Sequence, residues 1–250
     1  RICDELAPTD APVAANRVVH RSNRRLSADL ECLQNRGVEL VITSVGSPDA
    51  VVGPLHDAGA QVYADVASLE HARRALAVGV DGLVLLTAGA GGQTGWANPF
   101  AFTRAVREFY PGPRVLAGGI TDGRSILAAE ALGADLVYLG TRFIATRESL
   151  AEDAYRQALV TSSLDDVRLS TRVGGIPASL LACWLEQTDE SGGDADGFDQ
   201  NRLLSNRTAW SAGHSVSAVS AVTSVAELVA TLADQYAEAR DDLRRLVTNE

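Results

Sequence analysis

The stretch that decides the fold is GVDGLVLLTAGAGGQTG, residues 79–95, in which an apolar run leads into a glycine-rich loop. The run at 82–86 is apolar throughout, which is typical of a parallel strand buried on both faces. Four glycines within residues 89–95 would let a flat ligand approach the backbone closely. The loop follows the carboxyl end of the strand, where parallel α/β folds bind ligands. It has no acidic ribose-binding partner and is not a G-x-G-x-x-G fingerprint, so a plain flexible loop is the alternative.

The same strand-and-helix unit recurs along the first 160 residues. A glycine that ends one helix and precedes the next apolar run stands at positions 37, 59, 79 and 133. Helix-capping side chains stand at Ser47, Ser68, Asn98 and Asp122. With further strands at 12–19 and 114–118, we predict six βα units between residues 11 and 160, and therefore a parallel α/β sheet. The pattern fits a doubly wound sheet and a (β/α)8 barrel equally well.

The pattern of units stops after residue 160. Residues 161–222 carry glycine pairs, scattered polar residues and no clear strand, which indicates an inserted helical or irregular segment near the site. Ser224 and Glu227 have the spacing of a capping box at the start of a final helix. We therefore predict βα units at 1–160, the inserted segment at 161–222, and a C-terminal helix packed on the sheet or barrel at 223–250.

The composition argues against several classes of function. The 250 residues carry 22 Lys and Arg against 32 Asp and Glu, a formal net charge of −10, so nucleic-acid binding is not expected. No apolar run reaches the ~18 residues of a membrane span. Cys3, Cys32 and Cys183 lack C-x-x-C spacing, and no pair of histidines has the spacing of metal ligands. We expect no disulfide framework, no metal site and a reducing, cytoplasmic location.

Two more glycine turns end the next two predicted strands. Backbone amides at Gly118 and Gly119, and at Gly140 together with the Thr141 hydroxyl, are suited to hold a phosphate group. In barrels this site is built from the loops after the last two strands. Each turn taken alone is compatible with an ordinary turn, whereas the pair favours a phosphate-bearing ligand.

Asn16 interrupts an apolar strand with an amide. A buried Asn needs hydrogen-bond partners, and its donor and acceptor suit the edge of a planar heterocycle. A hydrogen bond to a neighbouring strand is the alternative. Thr43, Ser44 and Asp65 also lie at strand ends and are further candidates for the same mouth.

These motifs resemble those of the nitronate monooxygenases, formerly called 2-nitropropane dioxygenases. The similarity runs through residues 13–23, 41–45, 79–95, 115–122, 134–148 and 210–213, and into the final helix. It implies a TIM-type barrel that holds one FMN at its carboxyl mouth and oxidises alkyl nitronates with O2. It also implies that the first two βα units of the family barrel precede this sequence, so that the six strands correspond to strands 3–8.

The resemblance assigns a cofactor-binding role to six residues. Asn16 matches the family asparagine beside the flavin ring, and Gly91 matches a glycine of the A-G-G-H loop. The two phosphate-binding turns match Gly118 with Gly119, and Gly140 with Thr141.

The sequence departs from the family pattern at two positions. Gln93 stands where the family has a catalytic His, and a glutamine can donate a hydrogen bond to an anionic nitronate but cannot abstract a proton. We therefore expect preformed nitronates to react and neutral nitroalkanes to be poor substrates. Leu86 stands where the family has a flavin-contacting Gln, so a contact there would come from the main chain.

Two other functions stay open. The related barrel group of flavin-dependent NAD(P)H oxidoreductases and enoyl-thioester reductases has similar phosphate turns. The missing His is also compatible with a non-catalytic flavin-binding module.

Overall fold

The structure is a computed structural model that describes residues 13–187, 197–206 and 208–248. Its main feature is a parallel sheet of six strands that follow one another in chain order. These strands are β1 (Ala14–Val18), β2 (Leu40–Ser44), β3 (Gln61–Val66), β4 (Gly82–Leu86), β6 (Arg114–Ala117) and β7 (Leu136–Tyr138). A doubly wound sheet reverses its strand order at a switch point, whereas this order never reverses. The sheet has the topology of a barrel wall, and the predicted TIM-type α/β class is confirmed.

Helices connect the strands and cover one side of the sheet. They are α1 (Leu26–Asn35), α2 (Asp49–Asp57), α3 (Leu69–Ala77), α4 (Pro99–Arg107) and α5 (Gly123–Leu132). The predicted caps Ser68, Asn98 and Asp122 each accept backbone N–H groups from the first helical turn. Ser47 makes a weaker contact of the same kind. Its Oγ accepts the Asp49 N–H at 3.4 Å, and Pro48, which follows it, has helical angles although the helix is bounded at Asp49.

Side chains of the strands alternate between two apolar clusters. Leu83 and Leu85 point toward the helices, where they are fully buried together with residues such as Val106. The opposite, inner face carries a second cluster of Tyr63, Val84, Val115 and Ala117. Because both faces are covered, apolar residues are needed at consecutive positions, which explains why the strand sequences do not alternate.

A second, three-stranded antiparallel sheet lies beyond the parallel one. Its strands, in the order β5-β9-β8, are β5 (Gly92–Gln93), β9 (Ala178–Leu181) and β8 (Val167–Ser170). The prediction that residues 161–222 contain no strand is therefore wrong. Strands of two and four residues carry little periodicity of their own and depend on their partners. The division of the chain into three regions stays a prediction.

Short helices surround this small sheet. They are α6 (Thr141–Ile144), α7 (Asp153–Thr161), α8 (Ala182–Gln187) and α9 (Gln200–Ser205), with 3₁₀ turns at Leu164–Asp166 and His214–Ala218. Cys32 and Cys183 are free thiols, and Cys3 lies outside the described residues. Within the ranges that the structure describes, no helix has the length and apolarity to cross a membrane.

The final helix, α10 (Val225–Thr248), packs along α5. Its predicted capping box is present, because Ser224 Oγ accepts the Glu227 N–H at 3.1 Å and Glu227 Oε2 accepts the Ser224 N–H at 2.7 Å. The close approach depends on Gly123, where a Cβ atom would lie 2.0 Å from the Tyr236 backbone nitrogen. Only glycine fits this contact.

Candidate functional site

A cavity of about 390 Å³ lies at the carboxyl ends of the parallel strands. All six of these strands contribute to its wall, through Asn16, Ser44, Asp65, Leu86, Ala117 and Tyr138. The cavity also brings together the seven residues that the sequence singled out, namely Asn16, Gly91, Gln93, Gly118, Gly119, Gly140 and Thr141. Their individual roles stay predictions.

The turn after β6 has an unusual backbone that only glycine adopts easily. Gly118 and Gly119 have φ angles of 126° and 71°. A Cβ at Gly118 would lie 2.4 Å from Thr87 Oγ1, whereas a Cβ at Gly119 would meet nothing within 4 Å. Thr87 is fully buried and donates its hydroxyl to the Ala117 carbonyl at 2.8 Å. Thr87, which sequence reasoning missed, therefore packs against the turn at Gly118, whereas the turn is open at Gly119.

The glycine-rich loop is joined to the segment before α10. The Gly213 N–H donates to Thr141 Oγ1 at 2.9 Å, and a Cβ at Gly91 would lie 2.7 Å from the Gly213 nitrogen. The His214 N–H donates to the Gly89 carbonyl at 2.9 Å. Gly91 is therefore required for close backbone packing, beside any part in ligand binding. Sequence reasoning had no signal for these contacts, since they join residues far apart in the chain.

The β1, β2 and β3 ends form a polar corner of the cavity. Ser44 and Asp65 stand at inward-facing positions of their strands and line the cavity. Thr43 points to the other side of the sheet and donates to the Tyr63 carbonyl at 3.1 Å. The expectation that Thr43 lines the mouth is therefore wrong. Ser44 Oγ donates to Asn16 Oδ1 at 3.1 Å. Asn16 is exposed rather than buried, because β1 is the first strand of the described sheet.

Asp65 carries the strongest electrostatic perturbation in this corner. Its Oδ1 atom is buried and has no hydrogen-bond partner in the described part of the chain. Burial raises the pKa of Asp65 to about 7, and a hydrogen bond with the Asn16 side chain offsets part of that rise. Across the cavity, burial and secondarily the negative charge of Asp65 raise the pKa of Tyr138.

Gln93 faces the cavity from the small sheet. It lies on β5 and is paired with Ala178 of β9, so its position is set by strand pairing and not by a free loop. Leu86, at the end of β4, forms part of the wall, and a flavin contact through its main chain stays a prediction. Among the described residues that line the cavity there is no histidine.

The chain's own residues fit the flavin that the sequence resemblance implies. A Cβ at either Gly119 or Gly140 would meet open space, so both turns present bare backbone to the cavity. Thr141 is buried beside them, and its hydroxyl, which accepts the Gly213 N–H, keeps a proton to donate. Backbone amides and a hydroxyl suit a phosphate group. The Asn16 amide, at the other side of the cavity, offers hydrogen bonds to a heterocycle.

A comparison with known families decides the relationship. The family model described as nitronate monooxygenase matches residues 9–235. The chain belongs to the nitronate monooxygenase family. Solved structures agree with this fold. A nitroalkane oxidase from Streptomyces ansochromogenes has a TM-score of 0.83 at 25% sequence identity, covering 94% of this chain and 83% of its own. FabK from Thermotoga maritima has a TM-score of 0.80 at 24% identity, covering 95% and 80%, and this likeness concerns the fold.

Among the curated relatives of this chain are proteins named as oxidoreductases. A 5-hydroxy-7a-methyl-1-oxo-octahydro-1H-indene-4-carboxyl-CoA dehydrogenase of Mycobacterium tuberculosis is 32% identical over 196 residues, which are 77% of this chain and 54% of the relative. A nitronate monooxygenase of Paraburkholderia phytofirmans is 35% identical over 147 residues, 55% of this chain and 40% of the relative. This chain spans about half the length of the curated relatives that it matches.

Proposed function

We propose that this chain provides the cofactor site of a flavin-dependent oxidoreductase that binds FMN at the carboxyl ends of its strands. The observation that supports this best is a single cavity with two kinds of wall. Bare glycine backbone and the Thr141 hydroxyl suit a phosphate monoester, and the side chain of Asn16 suits the edge of a flat ring. A bound flavin supplies the two-electron redox chemistry, while the protein supplies orientation and electrostatics.

As the substrate we propose an alkyl nitronate, with O2 as the final electron acceptor. The Gln93 side chain lines the cavity and can donate hydrogen bonds from its amide to an anionic nitro oxygen. The pairing of β5 with β9 holds this residue in place, so little ordering is needed when the substrate binds. The family membership supports the same class of substrate.

The test is anaerobic mixing of the FMN-loaded protein with propionate 3-nitronate, followed through the visible absorption of the flavin. We expect the absorption to be lost and to return when O2 is admitted. NADH and NADPH are mixed in parallel. Loss of absorption with a reduced nicotinamide but not with the nitronate would contradict the proposal. Stoichiometric FMN binding without any response to either would indicate a non-catalytic flavin-binding module.

A second candidate is oxidation or reduction of a carbon–carbon bond beside a thioester. It is favoured by the share of the chain that aligns, 77% with a carboxyl-CoA dehydrogenase against 55% with a nitronate monooxygenase. The same anaerobic assay separates the two, with an acyl-CoA as electron donor or with an enoyl-CoA as acceptor after reduction by NAD(P)H. A response to thioesters but not to the nitronate would mean that thioesters, and not nitronates, are the substrate class.

A further inference from the structure

The feature that the proposed function leaves unexplained is the carboxyl group of Asp65. It lines the cavity, and its Oδ1 atom is buried without a hydrogen-bond partner among the described residues. A buried polar atom without a partner is costly in a folded protein. Such a group at the wall of a ligand cavity is expected to find its partner on the molecule that binds there.

The groups around Asp65 are uncharged, and those on the side of β1 and β2 are polar. On β1 the Asn16 side chain contacts the carboxyl, and on β2 Ser44 holds Asn16 by donating to its Oδ1 at 3.1 Å. On β4 the wall is Leu86, and on β7 it is the phenol of Tyr138. No charged side chain of the described residues contributes to the titration of Asp65, whose pKa of about 7 reflects burial first and the Asn16 hydrogen bond second.

The cavity offers few other groups that can take up a proton. Among the described residues that line it, Asp65 and Tyr138 are the ones with ionisable side chains, and burial keeps the pKa of Tyr138 above its ordinary value. Gln93 stands where the resemblance implies a His, and an amide cannot serve as a base at neutral pH. A carboxylate that titrates near neutrality is suited to general base catalysis.

We propose that Asp65 is the proton-transferring residue of this cavity and acts on a neutral carbon acid, in the first place a nitroalkane. The carboxylate removes the proton from the carbon next to the nitro group, and the electron pair of the broken C–H bond stays on the substrate, which becomes the nitronate. Asp65 becomes the neutral acid and later returns its proton to water. The identity of this substrate rests on the proposed function, whereas the titration of Asp65 does not. Neutral nitroalkanes are then substrates, contrary to the expectation drawn from Gln93 alone.

The first experiment compares Asp65→Asn with the wild type and with Asp57→Asn, an exposed carboxylate at the end of α2, as the matched control. In the FMN-loaded wild type we expect kcat/KM for nitroethane to rise with pH through about 7. In Asp65→Asn we expect the ratio of nitroethane to nitronate activity to fall by about 100-fold or more. Asp57→Asn keeps the wild-type ratio, and Asp65→Glu restores part of it. An unchanged ratio in Asp65→Asn would overturn the proposal.

The second experiment is independent of turnover and of variants that fold poorly. The carboxyl carbons of aspartate are labelled with ¹³C in the wild-type protein with FMN bound, and their chemical shifts are followed against pH. We expect one Asp resonance to titrate near neutrality, and Asp65→Asn, where folded, to lack it. If all aspartates titrate in their ordinary range around 4, the proposal is wrong. A titrating Asp65 in a protein inert toward nitronate and nitroalkane would instead contradict the proposed function alone.

Discussion

Gly119 is the residue at which cofactor binding can be separated most cleanly from folding. Its φ of 71° strains any other residue, yet a Cβ there would meet nothing within 4 Å and would project into open space. Gly59, after α2, has a similar φ of 84° and equally open surroundings, but it is not part of the cavity. The two glycines therefore share the same backbone constraint and differ in whether a ligand lies beside them.

We predict that Gly119→Val weakens FMN binding by at least about 10-fold, because the side chain fills the space where amides are proposed to meet phosphate. Gly59→Val is the matched control. Both variants lose about 1–2 kcal/mol of stability through backbone strain, but Gly59→Val keeps wild-type affinity for FMN. Affinity is measured by flavin fluorescence titration. Equal affinities for FMN in the two variants would mean that the phosphate does not bind at this turn.

A second prediction at the residue scale concerns Asp65 and the pH dependence of the free energy of unfolding. Its pKa is about 7 in the folded protein and about 4 in an unfolded chain. Between these values the folded protein keeps a proton that the unfolded chain has lost, so the free energy of unfolding falls as pH rises from 4 to 7. Asp65→Asn has no carboxyl to ionise and does not show this fall. Compared with the wild type, its free energy of unfolding should therefore gain up to about 4 kcal/mol between pH 4 and pH values above 7, at ~1.4 kcal/mol for each unit of difference between the two pKa values.

This prediction is checked by urea unfolding of the flavin-free protein at pH 4, 6 and 8. The advantage of Asp65→Asn should be absent at pH 4 and largest at pH 8. Asp57→Asn, on an exposed position, should show no such trend. A constant difference between wild type and Asp65→Asn at all three pH values would mean that Asp65 titrates normally.

At the scale of elements, the parallel strands could be predicted and the antiparallel ones could not. The run at 82–86 is buried on both faces, so its composition alone identifies a strand. The four residues of β8 are partly exposed, and β5 has only two residues, which pair with residues of β9 that lie 85 and 87 positions further along the chain. Such pairings arise from tertiary contacts, which local periodicity does not contain.

The candidate site likewise contains residues that could be predicted from the sequence and residues that could not. The glycine turns were predictable because φ angles such as 126° at Gly118 select glycine in the sequence itself. Thr87 was not, since a Thr in a loop has no distinctive spacing. Asp65 could be placed at a strand end from the sequence, but its unpartnered oxygen depends on burial by neighbouring strands.

The docking of α10 on α5 gives a prediction at this scale. We expect Gly123→Ala to destabilise the protein by about 1–3 kcal/mol, because its Cβ would lie 2.0 Å from the Tyr236 nitrogen and the helices must move apart. Gly53→Ala, in α2 with nothing within 4 Å, is the control and should stabilise the protein by roughly 0.5–1 kcal/mol through helix propensity. Urea midpoints measure both. Destabilisation of equal size in both variants would contradict the packing role.

For the whole molecule, the cavity is assembled from distant parts of the chain. Six strand ends, the glycine-rich loop and the segment near residue 213 all contribute to it, and hydrogen bonds such as Gly213 N–H to Thr141 Oγ1 tie these parts together. A ligand that contacts all of them binds the folded state and not the unfolded chain. Its binding free energy is therefore added to the free energy of unfolding of the entire protein.

We predict that FMN raises the melting temperature more than riboflavin does. At a free concentration of 100 Kd a ligand stabilises by about 2.7 kcal/mol, and each kcal/mol shifts the melting temperature of a protein of this size by roughly 2–4 °C. Riboflavin has the same ring without the phosphate, so at equal concentration it should give a clearly smaller shift. In Gly119→Val the difference between the two ligands should shrink, because the phosphate turn is blocked. Equal shifts for FMN and riboflavin in the wild type would place the phosphate outside the turns at Gly118–Gly119 and Gly140.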